Sequence, residues 1–109
     1  MMHARDITWS KTEKSVARVA FDLAYRRECE AITKRINDMI RDIVNPGDIW
    51  RLYDFLSEKR EEIDEKYDYR YSVLILVFAR LVKEGWLKAS DLGGLHEDKV
   101  ARIIALANM

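Results

Sequence analysis

The chain has 109 residues, 49% of them hydrophobic, enough for one globular core and too few for two ordinary domains. Its 19 basic residues balance 19 acidic ones, so no net field draws it to nucleic acid or anionic lipid, and polar recognition has to be local. Cys29 is alone, which excludes an internal disulfide; the N-terminus lacks a secretory-signal pattern and no apolar run approaches the ~20 residues of a bilayer span, so a soluble, cytoplasmic protein without membrane insertion is expected.

One Pro and four Gly leave few break points, and the most strand-like run, "YSVLILVFA", also reads as buried helix. The expected fold is a single all-α domain over 1–109: a flexible tail over 1–9, a long stalk of two helices over 10–67, and a small helical head over 68–109. The first helix begins where Ser10 can cap and Glu13 can reach back, the capping-box spacing. It then runs without a breaker to "NPGD" at Asn45–Asp48, about 34 residues or roughly 50 Å, longer than a compact domain of this size is wide. Within it, Tyr25, Cys29, Ile32, Ile36, Met39 and Ile43 recur at alternating spacings of four and three, the heptad rhythm of a packing seam. The second helix, about Ile49 to Lys66, is roughly half as long. A second copy of the chain is therefore expected to cover the seam, giving a homodimer through the long helices, parallel or antiparallel.

Asp68 is placed to cap a third helix that runs to Leu81–Glu84 and is ended by Gly85. Val73, Leu74, Leu76, Val77, Phe78, Leu81 and Val82 make that helix apolar nearly all round, so it should be the buried centre of the head. A short turn at "ASDLGG" leads to a last helix from about His96 to Ala107, with Val100, Ile103, Ile104 and Leu106 set to pack on the third.

The second helix carries the pattern that packing explains least. At 100° per residue, Ile49, Leu52, Leu56 and Ile63 lie within about 60° of one another and form a core-facing stripe. Trp50, Tyr53, Asp54, Ser57 and Arg60 fill a neighbouring arc about 120° wide, whereas the Glu58, Glu61, Glu62 and Glu65 side is an ordinary solvated surface. Aromatic anchors beside an Arg and an Asp have the composition of an interaction hot spot. A packing role stays open at this point, with Trp50 covering the end of the seam and Asp54 pairing with Arg60 or Arg51.

Reactive chemistry has no comparable signal. Cys29 falls on the seam as a small apolar residue, His3 sits in the tail and His96 opens the last helix, and these separations give no metal-ligand spacing. "SDLGGL" lacks the Lys and the preceding strand of a phosphate loop. Glu61, Glu62, Asp64 and Glu65, interleaved with Lys59, Arg60 and Lys66, read as a solvated face of pairs three or four apart. The short basic groups "YRR" and "KR" are flanked by acids and do not make a nucleic-acid surface. No enzyme, cofactor or metal is expected.

"DIWRLYDFLSEKREEIDEKYDYRYSV" closely resembles the fluorescence recovery protein family of cyanobacteria, and the likeness extends to "WS" at Trp9, "AYRRE" at Ala24–Glu28, "VFARLVKEG" and the "EDK" before the last helix. The resemblance implies an all-helical dimer with stalk and head. It further implies a non-enzymatic regulator that binds the photoactivated red form of the orange carotenoid protein, chiefly at its C-terminal domain, speeds its return to the orange form and ends photoprotective quenching at the phycobilisome. By motif, the family's functional surface falls on Trp50, Asp54 and Arg60, and its head contacts fall near Leu76 and Arg102. Three positions depart from the family pattern: Tyr53 stands where members commonly carry His, Leu76 where they carry Phe and Arg102 where they carry Lys. Those departures leave two clients open, the orange carotenoid protein or a different protein served by a dimeric helical adaptor of the same fold.

Overall fold

The computed structural model describes residues 7–109. The chain forms α1 (Lys11–Arg41), α2 (Pro46–Lys66), α3 (Leu74–Lys83), a 3-10 turn (Ala89–Leu92) and α4 (Glu97–Ala107), with no β-strand among the described residues. The molecule measures 56 × 26 × 23 Å and its radius of gyration is 17.0 Å, against about 13 Å for a compact chain of this length. Residues 1–6 of the expected tail, His3 among them, lie outside the described residues. Residues 7–9 are packed rather than free: Trp9 is only 8% exposed and joins the core, 5.7 Å from the Tyr71 ring and 5.0 Å from the Lys99 ammonium.

The start of α1 follows its local chemistry. Ser10 Oγ accepts the Glu13 N–H at 3.1 Å and Glu13 Oε1 accepts the Ser10 N–H at 3.0 Å, satisfying two helix-terminal donors that have no partner within the helix. Glu13 Oε2 also accepts the His96 N–H at 3.0 Å, and Lys99 Nζ lies 3.0 and 2.9 Å from the two carboxylate oxygens. A helix cap thus doubles as the clasp between α1 and α4. Burial opposes ionisation of this carboxyl, but the Ser10 and His96 N–H groups and the Lys99 ammonium outweigh it and lower its pKa from the usual 4.5 to about 2. The folded state therefore favours the carboxylate. Its contribution, on the order of 3 kcal/mol, is present above the unfolded pKa of 4.5 and is lost as pH falls toward about 2. Urea midpoints at pH 6 and pH 3 should show a smaller acid-induced drop in Glu13→Gln than in the parent.

α1 ends at Arg41, before the expected "NPGD", and Ile43 falls in the connection to α2. The Asp48 carboxylate turns the chain there by accepting the Asn45 and Val44 N–H groups, each at 3.0 Å, and these bonds hold its pKa below the usual range. Pro46 then opens α2, where its missing N–H is no loss.

Asp68 does not cap α3, which begins at Leu74. Its carboxylate instead accepts from Arg70 Nε at 2.8 Å. The intervening segment is non-helical because alternate residues face α1: Tyr67 and Tyr69 lie 5.3 and 4.8 Å edge-on from Phe21, and Tyr71 reaches Trp9. A period of two lines up all three rings, whereas a helix would splay them around its axis.

Leu74, Phe78, Leu81, Leu92 and Ile103 are the largest fully buried side chains, and Trp9, Ala17, Ala20, Phe21 and Ala24 complete the same core. The head is therefore built on the first half of α1, and the expected boundary at 67/68 divides the chain without dividing the core. The head approaches α1 closely at Gly94, where a Cβ would sit 2.6 Å from Val16 Cγ2 and a φ of +106° also favours glycine. Gly85 ends α3 with φ +87°, the left-handed conformation expected of it.

Candidate functional site

From Cys29 to Glu65 the helical hairpin of α1 and α2 has no buried residue. The expected seam residues Cys29, Ile32, Ile36, Met39 and Ile43 are half-buried, Tyr25 is exposed, and Ile40, Val44, Ile49 and Leu56 add further exposed apolar surface around them. The core-facing stripe of α2 is thus only partly covered within one chain: Leu52 and Ile63 are half-buried, Ile49 and Leu56 exposed. Tyr25 and Cys29 lie one turn apart, and the neighbouring thiol pushes the phenol pKa up. They line a shallow groove with Ile32, Leu56, Arg60 and Ile63.

All five residues of the aromatic and charged strip lie on the exposed side of α2. Trp50 is 66% and Tyr53 65% exposed, and the Arg60 side chain is 84% exposed. Arg60 Nε lies 3.7 Å from Asp64 Oδ2 in a solvated pair that contributes at most about 1 kcal/mol, so its guanidinium can exchange that partner for another carboxylate at little cost. Neither pairing considered for Asp54 forms: Arg51 bonds Asp48 at 3.3 Å, Arg60 faces Asp64, and Asp54 has no ion-pair partner among the described residues.

Leu76 and Arg102 occupy the head, on α3 and α4, and are not part of the α2 strip. Leu76 is 58% exposed, which corrects its expected place in the buried centre: its neighbours Ile75 and Val77 carry that face of α3. Arg102 is exposed and lines a hollow with Ile7, Ile75, His96 and Lys99. His96 caps α4, its Nδ1 accepting the Asp98 N–H at 3.2 Å. No group of acidic, His and Cys residues suited to hold a metal occurs among the described residues, and none of their helices is long and apolar enough to cross a membrane.

The sequence reading missed one polar cluster. Lys66, assigned to a solvated face, is only 4% exposed; its Nζ donates to Glu28 Oε1 and Oε2 at 2.9 and 2.7 Å and to Glu84 Oε1 at 2.6 Å. Tyr67 donates its hydroxyl to Glu28 Oε1 at 2.8 Å. Burial works against the Lys66 charge, but the two carboxylates raise its pKa. Burial likewise opposes ionisation of Glu84, which Lys66 and Arg80 nevertheless hold below the usual range. A signal was present: Glu28 continues the stripe of Glu13, Ala17, Ala20 and Ala24, all within about 80° on the buried side of α1.

This arrangement of a long two-helix hairpin carrying a small head matches known proteins closely. The sequence profile of the family described as photoprotection regulator fluorescence recovery protein matches residues 9–107. The chain belongs to the fluorescence recovery protein family. The fluorescence recovery protein of Synechocystis sp. (strain ATCC 27184 / PCC 6803 / Kazusa) is 42% identical over 109 residues, all of both chains. The solved fluorescence recovery protein of Fremyella diplosiphon superposes with a TM-score of 0.88 at 50% identity, and that of Synechocystis sp. PCC 6803 with 0.88 at 44%, each covering 94% of this chain and 100% of the other. The chain is thus an all-helical member of a family of photoprotection regulators.

Proposed function

We propose that this fluorescence recovery protein family member acts in the cytoplasm as a homodimeric, non-enzymatic regulator. It binds the photoactivated red form of the orange carotenoid protein at its C-terminal domain through Trp50, Tyr53, Asp54, Ser57 and Arg60, with Leu76 and Arg102 of the head as further contacts, and hastens the return to the orange form. One observation carries this reading: a Trp, a Tyr and an Arg stand exposed together on a helical hairpin that buries nothing between Cys29 and Glu65. An apolar hairpin left so open is a surface for partners. The heptad residues from Tyr25 to Ile43 pair with a second copy, and the strip on α2 faces the client.

The action follows from linkage. A protein that drives relaxation must bind the state it promotes, or the path toward it, better than the state it empties; equal affinity shifts nothing. Desolvating Arg60 against a carboxylate supplies directed bonds, and Trp50 supplies area.

The test is optical. The parent should accelerate the red-to-orange return in the dark at low stoichiometry, and Arg60→Ala should weaken binding by about 1 to 3 kcal/mol, with Trp50→Ala costing at least as much. Light scattering at micromolar protein should find both variants dimeric. Variants that bind and accelerate as the parent does would make the strip structural; a parent that neither accelerates recovery nor co-elutes would mean a different client, as the departures at Tyr53, Leu76 and Arg102 allow.

A further inference from the structure

Along its 21 residues α2 buries only one side chain, and that one is the cation Lys66 at its last turn. The three ammonium protons of Lys66 meet three carboxylate oxygens, two from Glu28 on α1 and one from Glu84. Glu84 is the C-cap of α3 and is itself held by Arg80 Nε at 3.0 Å and Trp86 Nε1 at 3.2 Å. The next residue after Lys66, Tyr67, donates its hydroxyl to the same Glu28 Oε1. Each member of the cluster is therefore oriented by another, and the cluster joins α1, α2 and α3 at one point. Apart from an exposed pair of Glu65 with Arg80 of α3 at 3.8 Å, the remaining α2 contacts are half-buried apolar ones, which tolerate sliding, whereas a buried three-point ionic bond fixes direction. Buried ion pairs add little net stability compared with apolar packing, so their value here lies in geometry.

We infer that Lys66 is a positioning residue for the recovery activity: its junction fixes the angle between the α2 strip and the Leu76 and Arg102 surface of the head, so that both meet one client at once. This rests on the function proposed above. The strip and the head surface sit on opposite sides of the junction along the chain, and residues 67–73 between them are non-helical, so α2 does not run on into the head. Both pack on the continuous α1, and the ion cluster and the tyrosine contacts lock α2 and the head to it at a fixed angle.

The test uses the full chain carrying Glu28→Gln with Lys66→Met, a nearly isosteric neutral pair that leaves no charge unpaired at Glu28. Helicity and dimer mass should match the parent. In the dark recovery of photoactivated orange carotenoid protein, the maximal acceleration at saturation should fall about tenfold, while the half-saturating concentration moves much less, since misplacement of bound groups lowers rate more than affinity. Electron-electron distances between spin labels at Glu58→Cys and Ala105→Cys, in a Cys29→Ser background with labelled subunits diluted into unlabelled ones, should broaden in the neutral pair. Lys66→Arg, which keeps the charge, should restore both readouts. An unbroadened distance distribution, or a loss of rate that only tracks a loss of binding, would overturn the inference. Failure of the parent itself to act on the carotenoid protein would instead sink the proposed client, and the distance measurement would still decide whether the junction holds the angle.

Discussion

Lys66→Ala should destabilise the protein by about 3 to 5 kcal/mol, because it removes one partner of a buried ion cluster and leaves the other charged. Glu28 is 4% exposed and would keep a carboxylate with only the Tyr67 hydroxyl as donor. Glu84 would suffer less, since Arg80 and Trp86 still bond it. The loss should appear as a lowered urea midpoint followed by circular dichroism at pH 7, with an unchanged dependence on denaturant if the unfolded state is unaltered. Neutralising Glu28 and Lys66 together should cost clearly less than Lys66→Ala alone, as the orphaned charge and not the missing attraction dominates the penalty. A midpoint for Lys66→Ala within about 0.5 kcal/mol of the parent, the range of ordinary surface changes, would show the cluster to be solvated.

Phe78→Ala should cost a similar amount, about 3 to 5 kcal/mol. Its ring has no exposed surface and is packed with Leu74, Leu81, Leu92 and Ile103 in the head core. The neighbours that would have to collapse into the gap belong to three different elements, so relaxation is limited and the cavity persists. Leu76→Ala, two residues earlier on the same helix, should change stability by less than about 0.5 kcal/mol because its side chain already faces solvent. Thermal unfolding of the two variants side by side separates them, and equal midpoints would mean that α3 is turned differently against the head.

That contrast shows where the sequence stopped being legible. α3 is rich in apolar residues, yet Leu76 stands one and two turns before Arg80 and Lys83 on its one polar face; the dense apolar run around Leu76 hid that spacing, while Ile75, Val77 and Phe78 face in. Leu76 was nonetheless marked by its resemblance to a family contact position. Lys66 was missed for the opposite reason: its neighbours in sequence are charged and solvated, and its burial comes from Glu28, 38 positions away. Asp68 has the right composition for a cap, but the tyrosines on either side gain more from facing Phe21 and Trp9 than the chain gains from an earlier helix start.

By itself the sequence determined the helical class, the overreaching first helix, its capping box, the glycine that ends α3, and the aromatic and charged strip on α2. These are local matters, set by residue spacing within a few turns and by the chemistry of helix ends. Only the tertiary structure decided that the head is built on the first half of α1, that Trp9 is core, and that the strip is reached from solvent while Lys66 is sealed. Those outcomes depend on which faces meet across long stretches of chain, and burial is a property of the meeting, which no single segment carries.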